Sequence, residues 1–148
     1  LILDRITDVR NFGAIARTAE CSNVDCIIVP EQNSAAINSD AMKTSSGALN
    51  NMKICRTWNL KMTLQMLKDS GIQIVSCTEK TNNKIYSVNY QIPTAVILGS
   101  EENGISNEFL KFSDEKVKIP ILGNIESLNV SVACGVILYE IVRQRLSL

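Results

Sequence analysis

Short apolar segments alternate with stretches of helical pattern along the whole chain, and this alternation constrains the fold more than any other feature. Strands that alternate with helices form α/β domains, in which a mostly parallel sheet is flanked by helices. We therefore predict one α/β domain over residues 1–148. The predicted strands are 1–3, 26–29, 52–55, 72–77, 94–98 and 116–119, and the predicted helices are 11–21, 39–44, 59–70, 107–112 and 128–145.

Length, charge and hydropathy exclude several classes of protein. A chain of 148 residues is long enough to bury the core of one domain. Its formal net charge of zero argues against a nucleic-acid binder that relies on overall charge, but not against a local basic patch. The sequence has no apolar run of membrane-spanning length and no N-terminal signal region. Because Leu1 lies within a predicted strand, we expect that upstream sequence is missing from the chain.

The five cysteines predict reduced thiols rather than a metal site or a disulfide framework. Their number is odd, their spacing is irregular, and the sequence contains no histidine. Most of them lie in apolar runs, so we expect small core residues in a reducing, cytoplasmic compartment. The absence of histidine also excludes catalysis by an imidazole.

Ligands of parallel α/β sheets bind beyond the carboxyl ends of the strands. The loops that follow the predicted strands begin near Asp4, Thr78, Gly99 and Pro120, and they carry most of the unusual residues of the chain. A binding site is therefore expected at this edge of the sheet.

The segment from Asn11 to Arg17 begins the first predicted helix, and two interpretations are open. In the first, Asn11 caps the helix, Gly13 allows close packing and Arg17 is a surface cation. In the second, Arg17 faces an anion at the strand ends, since its planar fork suits phosphate.

The segment from Gly99 to Gly104 resembles a phosphate-binding loop only superficially. The lysine of that motif is missing, two adjacent carboxylates would repel a triphosphate, and no G-x-G-x-x-G follows the first strand. The segment is either an acidic turn or a glycine-permitted turn that exposes backbone groups to a neutral or cationic cofactor, with Glu101 turned inward.

Three small polar residues stand within five positions at the start of the last predicted helix: Ser127, Asn129 and Ser131. A helix N-cap needs only one such residue, so this excess predicts a ligand as well as a cap. For the turn at 43–48 we favour a structural role over substrate contact. For Trp58 we favour packing over base stacking.

Three separated segments together resemble the SpoU branch of the SPOUT RNA 2′-O-methyltransferases. They are Asn11-x-Gly13-x-x-x-Arg17, Gly99-x-Glu101-x-x-Gly104 and Ser127-Leu128-Asn129-Val130-Ser131, the last continuing to Tyr139-Glu140 and Arg143-Gln144. They occur in order and cover essentially the whole chain. Residues 59–86 further resemble the ribosomal-RNA guanosine methyltransferases of this family.

The resemblance implies S-adenosylmethionine as methyl donor and a ribose 2′-hydroxyl of RNA, ribosomal rather than transfer RNA, as acceptor. It also implies a SPOUT fold with a deep C-terminal trefoil knot, a homodimer with sites at the subunit interface, no metal, and a missing N-terminal RNA-binding domain. Three alternatives stay open: a tRNA methyltransferase, a non-catalytic RNA-binding or ribosome-assembly module, and an ordinary nucleotide-binding enzyme.

The resemblance also assigns site residues. Arg17 is the family's usual candidate for activating the ribose hydroxyl. Because an arginine keeps its proton, we expect Arg17 instead to fix the RNA phosphate and to stabilise negative charge that develops on the ribose oxygen. Glu101 would pair with Arg17, if necessary across the dimer. The implied catalytic residues are Asn11, Arg17, Glu101, Ser127 and Asn129, and the implied cofactor-binding residues are Thr78, Gly99, Ile119 and Leu128.

Overall fold

The computed structural model describes residues 1–146 of the chain. Strands and helices alternate within that range, and two single-turn 3₁₀ helices lie at Ala48–Asn50 and Ile85–Ser87. The strands are β1 (Ile2–Asp4), β2 (Ile27–Pro30), β3 (Ile54–Thr57), β4 (Gln73–Cys77), β5 (Thr94–Gly99) and β6 (Glu115–Val117). The helices are α1 (Val9–Cys21), α2 (Ser39–Thr44), α3 (Leu60–Asp69), α4 (Asn107–Phe112) and α5 (Val130–Leu146).

The strands form one sheet in the order β3-β2-β1-β5-β4-β6, and every pairing in it is parallel. The predicted α/β class with a parallel sheet is therefore confirmed. Because all strands run the same way, their carboxyl ends meet at one edge of the sheet. The loops that carry the predicted site residues begin at that edge.

Alternate residues of each strand point to opposite faces of the sheet. Leu3 and Val75 pack in the apolar layer that contains residues of α1 and α5. Their neighbours Ile2 and Ile74 pack in a second layer with residues of α3 and α4. The helices thus cover both faces, which explains why the inner strands β1, β2 and β5 are almost continuously apolar.

Several element boundaries differ from the predicted ones by two residues. Helix α1 begins at Val9 because the Asp8 side chain accepts hydrogen bonds from the backbone N–H of Arg10 and of Asn11. Asp8 is therefore the N-cap of α1, and the interpretation of Asn11 as the cap is wrong. The predictions for α3 are confirmed, since Asn59 caps its N-terminus and Gly71 follows its end.

Two further expectations about side chains are wrong. Of the five cysteines only Cys134 is buried, whereas Cys21 and Cys55 are exposed. The ring of Trp58 is 77% exposed, so it does not pack in the core. Cys55 lies on β3, an edge strand of the sheet, and Trp58 directly follows that strand. Cys21 is the last residue of α1. No helix within residues 1–146 is long and apolar enough to cross a membrane.

Candidate functional site

A cavity of about 780 Å³ opens at the carboxyl edge of the sheet. Its walls come from the loops that follow β4, β5 and β6 and from the first turns of α5. This volume lies within the range of small-molecule sites. The expected position of a ligand site, beyond the strand ends, therefore coincides with an actual concavity.

The side-chain amide of Asn129 joins the three sequence motifs beside this cavity. Its Nδ2 donates to Glu101 Oε1 at 2.7 Å and to Asn11 Oδ1 at 3.0 Å. Its Oδ1 accepts from the backbone N–H of Ser131 at 2.9 Å and from the Ser131 hydroxyl. All the hydrogen-bonding capacity of the amide is used, which fixes its orientation. We call these four residues the Asn129 cluster.

The Asn129 cluster is built on the N-terminus of α5. The Asn129 carbonyl accepts the first intrahelical bond, from Ala133 N–H at 2.9 Å, so Asn129 is the N-cap. Glu101 Oε1 also accepts from the backbone N–H of Val130, at 3.3 Å. A carboxylate at this place interacts favourably with the helix dipole. The predicted cap is thus confirmed, and α5 begins at Val130 rather than at Leu128.

The loop that carries Glu101 folds tightly back on its own strand. A Cβ atom added to Gly99 would lie 2.1 Å from the backbone carbon of Gly104, so only glycine permits this approach. The turn is closed by a hydrogen bond of 2.8 Å from Gly104 N–H to the Ser100 carbonyl. The glycine-permitted turn therefore describes this segment better than a simple acidic turn, and Glu101 is directed at α5.

Sequence reasoning missed Asp4 and Arg5 as parts of the site. Asp4 is only 2% exposed, and its Oδ2 accepts from the backbone N–H and the hydroxyl of Ser106, each at 2.7 Å. Arg5 Nη2 donates to the carbonyl oxygen of Gly104 at 3.1 Å. An acidic residue at the end of a buried strand was the available signal, because a buried carboxylate requires partners.

All four predicted cofactor-binding residues line the cavity. Thr78 is buried, Ile119 is half-buried and Leu128 is 38% exposed, so apolar side chains form part of the wall. Gly99 contributes backbone where β5 ends. Ser127 also lines the cavity and is exposed to it.

Charged groups of both signs surround the cavity. Burial raises the pKa of the Cys77 thiol in its lining to about 12, so this thiol stays neutral at physiological pH. The lining holds four carboxylates against three ammonium groups, an excess of one negative charge: Glu79, Glu101, Glu102 and Glu126 against Lys80, Lys84 and Lys118.

Arg17 lies apart from the Asn129 cluster. Its side chain is exposed on α1 and makes no hydrogen bond or salt bridge to any of residues 1–146. Arg17 lies six positions after Asn11 on the helix, which places it about 9 Å further along the axis and about 120° around it. Within this chain Glu101 therefore pairs with Asn129 and Val130, and the expected Glu101–Arg17 contact is not made.

The polar turn after α2 has a structural role. Ser45 is fully buried, and its hydroxyl donates to the Met42 carbonyl at 2.9 Å. Helix α1 packs closely here, since a Cβ atom on Gly13 would lie 2.7 Å from the Ala41 carbonyl oxygen. The turn at 43–48 thus supports the helix that carries Asn11, as favoured from the sequence.

Comparison with known sequences gives a consistent result. The chain matches the model of the SpoU rRNA Methylase family over residues 1–139. A relative from Yersinia pestis, the 23S rRNA (guanosine-2′-O-)-methyltransferase RlmB, is 39% identical over 145 residues, which cover 98% of this chain and 59% of the relative. The chain spans about three fifths of the length of the curated relatives it matches.

Solved structures show the same fold. The SpoU methyltransferase AviRb from Streptomyces viridochromogenes, in complex with the cofactor AdoMet, superposes with a TM-score of 0.91 at 28% identity, over 99% of this chain and 57% of that chain. The TrmH/SpoU tRNA modifying enzyme of A. aeolicus superposes with a TM-score of 0.88 at 34% identity, over 97% and 73% of the two chains.

Proposed function

Because this chain belongs to the SpoU rRNA methylase family, we propose that it is the catalytic domain of an RNA ribose 2′-O-methyltransferase that uses S-adenosylmethionine. The acceptor is the 2′-hydroxyl of a guanosine in ribosomal RNA. One observation carries the proposal: the Asn129 cluster joins all three sequence motifs beside a cavity of suitable size. A fold retained only for packing would not require these exposed polar groups to meet.

The residues of the cavity fit S-adenosylmethionine. That molecule carries a sulfonium, an ammonium and a carboxylate, a net charge of one positive unit, which complements the excess of one carboxylate in the lining. The backbone at Gly99 and Ile119 would hydrogen-bond the edges of the adenine, and the Leu128 side chain would pack on the adenine ring. Thr78 would form another part of the cavity wall. A nucleoside triphosphate fits poorly, because Glu101 and Glu102 would repel its phosphates.

Bound in this cavity, S-adenosylmethionine supplies a methyl group that its positive sulfonium makes electrophilic. The chain must chiefly orient the ribose and allow its hydroxyl proton to leave. A guanidinium keeps its proton at physiological pH. We therefore assign Arg17 to binding the RNA phosphate and stabilising charge on the ribose oxygen, with the proton leaving to water or phosphate. Asn11, Glu101, Ser127 and Asn129 orient the reactants.

This assignment of Arg17 requires a second subunit. In one chain Arg17 points away from the Asn129 cluster, so a homodimer would bring Arg17 of one protomer to the cavity of the other. Exposed apolar side chains support such an interface on α5: Val132 and Tyr139 are 51% and 52% exposed. Their spacing of seven residues places them on one side of the helix, within about 20° of each other.

The route of the C-terminal segment supports the trefoil knot that the family resemblance implies. After β6, at one end of the sheet, the chain returns past the loops that follow β4 and β5 before α5 packs against α1. A segment that passes through the loop formed by its predecessors would give the knot, although knots are rare in general. If the knot is present, refolding of the intact chain should show a slow phase. That phase should be lost when residues 118–146 are supplied as a separate peptide.

We further propose that residues 1–148 form one catalytic domain and that RNA selection requires additional sequence in a cytoplasmic protein. The formal net charge of zero supports this division, because a domain without basic excess gains little from phosphate attraction. The greater length of the Yersinia pestis relative agrees with it.

Two measurements test the function. Calorimetry should show that S-adenosylmethionine binds and that nucleoside triphosphates do not. Mapping of 2′-O-methyl groups in total RNA, from cells with and without the full-length protein, should reveal one ribosomal guanosine that depends on it.

The outcomes separate the alternatives. Tight binding of a triphosphate without binding of S-adenosylmethionine would contradict a methyltransferase. A protein that binds S-adenosylmethionine but leaves every methylation site unchanged would be a non-catalytic module. A dependent site in transfer RNA would reassign the acceptor.

A further inference from the structure

Arg5 has an unusual backbone conformation beside the proposed cofactor cavity. Its φ angle is 59°, in the left-handed region that residues other than glycine seldom adopt because the Cβ atom crowds the backbone. Arg5 directly follows β1, whose last residue, Asp4, pairs with Gly99 of β5. Such strain persists only where surrounding contacts hold it, so the contacts of Arg5 need an explanation.

The guanidinium of Arg5 provides those contacts. Nε donates to Asp4 Oδ1 at 3.2 Å, and Nη2 donates to the Gly104 carbonyl oxygen at 3.1 Å. Asp4 in turn accepts the two hydrogen bonds of Ser106. Arg5 and Asp4 therefore hold the end of the loop 99–106, while β5 holds its beginning.

The position of Gly104 determines the shape of the cavity wall. Its backbone lies directly against Gly99, and both residues line the cavity. Glu101 lies between them in sequence and reaches the N-terminus of α5. A displacement of Gly104 would thus move the cavity wall and Glu101 together.

We propose that Arg5 is a positioning residue for the cofactor cavity: its hydrogen bond to Gly104 fixes the loop 99–106 in the conformation that presents Glu101 to α5. This inference rests on the proposed function. Glycine would adopt the left-handed conformation at position 5 with less strain. The contribution of arginine must therefore come from its side chain, and the side chain contacts the loop.

The test compares Arg5→Gly with Asn23→Gly. Asn23 also has a left-handed backbone, with φ 57°, but it lies in the turn between α1 and β2, at the opposite edge of the sheet. Both substitutions release backbone strain, whereas only Arg5→Gly removes a hydrogen bond to the loop. Hydrogen exchange of the amides of Asn103, Gly104 and Ser106 reports on the loop, since each of them donates a hydrogen bond there.

We expect Arg5→Gly to melt near the wild-type temperature and to exchange these three amides faster. It should bind S-adenosylmethionine about ten-fold more weakly, because it lacks a charge-assisted hydrogen bond. The KM for S-adenosylmethionine should rise while kcat is largely retained. Arg5→Lys, which keeps the charge but lacks the planar fork, should recover part of the affinity. Asn23→Gly should match the wild type in exchange and affinity.

Unchanged exchange in Arg5→Gly, or equal changes in Arg5→Gly and Asn23→Gly, would overturn the proposal. Failure of the wild-type protein to bind S-adenosylmethionine would instead contradict the proposed function. In that case the exchange comparison still decides whether Arg5 positions the loop.

Discussion

Asn129 Nδ2 donates a hydrogen bond of 2.7 Å to Glu101 Oε1. These two residues are 28 positions apart in the chain, and their contact joins the loop after β5 to the N-terminus of α5. Asn129 is the donor of this pair and Glu101 the acceptor, and the second amide hydrogen of Asn129 is donated to Asn11.

Asn129→Asp should abolish turnover while the protein still folds. The new carboxylate can accept from Ser131 N–H as Asn129 does, so the helix cap is kept, but it faces Glu101 with a like charge. We expect kcat to fall at least about 100-fold, the scale of a misplaced reacting group. Adding Glu101→Gln should restore the donor–acceptor match and raise the free energy of unfolding above that of Asn129→Asp. Additive effects in this double-mutant cycle would refute a direct contact.

Arg17→Ala should lower kcat about 100-fold or more, since it removes a donor that stabilises developing charge, and should leave the affinity for S-adenosylmethionine unchanged. Single-turnover methylation and calorimetry measure the two quantities. Lys111→Ala is the matched control, because Lys111 is an exposed cation of α4 on the other face of the sheet. Near-normal turnover in Arg17→Ala would remove Arg17 from the mechanism.

Gly99→Ala should destabilise the fold by about 1–3 kcal/mol, the usual cost of overpacking, and should weaken cofactor binding. The added Cβ would lie 2.1 Å from Gly104 backbone, which has to move. Urea denaturation and calorimetry check both effects. Gly123→Ala is the control, because nothing lies within 4 Å of a Cβ at that position. Wild-type affinity in Gly99→Ala would show that the loop does not form the cavity wall.

Glu140→Gln should lower the free energy of unfolding by about 1–3 kcal/mol at pH 7, because it weakens hydrogen bonds made by a charged group, and such bonds contribute on this scale. Glu140 is buried and accepts two hydrogen bonds of 2.8 Å from Arg143. This pairing holds the pKa of its carboxyl below the usual value. The folded state therefore favours the charged form of Glu140. The stabilisation of the folded state by this carboxylate is present above the unfolded pKa of about 4.3, and it is lost as the pH falls through the folded pKa.

The wild type and Glu140→Gln should thus converge in stability under acidic conditions, as measured by urea denaturation over a pH series. Glu108→Gln is the control, because Glu108 forms an exposed pair with Lys61 and should change stability by less than about 1 kcal/mol. A stability difference for Glu140→Gln that persists at low pH would assign the effect to packing.

Cys21 and Cys55 should react rapidly with Ellman's reagent in the native protein, and Cys134 should not. The first two thiols are exposed. Burial raises the pKa of Cys134 to about 12, so almost no reactive thiolate forms at pH 8. Mass spectrometry of labelled peptides identifies the sites. Fast labelling of Cys134 would indicate that α5 detaches from the sheet in the native state.

The sequence predicted the class of fold because its signals are local. Apolar runs of strand length, separated by helical periodicity, are properties of neighbouring residues. Caps such as Asn59 are also local, and they were placed correctly. The burial of Cys55 and of Trp58 was predicted wrongly, since it depends on which strand lies at the edge of the sheet.

The sequence predicted which residues belong to the candidate site, but not all of the contacts that they make. The motif residues Gly99, Glu101 and Asn129 could be named because their types are unusual after strands. The contributions of Asp4 and Arg5 could not be seen, because their partners lie about one hundred residues away.

By itself, the sequence determined the α/β class, the parallel sheet, the segments proposed to carry the site and the family, because each depends on local pattern or on motif order. Only the tertiary structure decided that Glu101 pairs with Asn129 rather than with Arg17, and that Arg5 holds Gly104. Such contacts depend on the strand order and on the direction of each side chain. Both are settled when the whole sheet packs, not by any single segment.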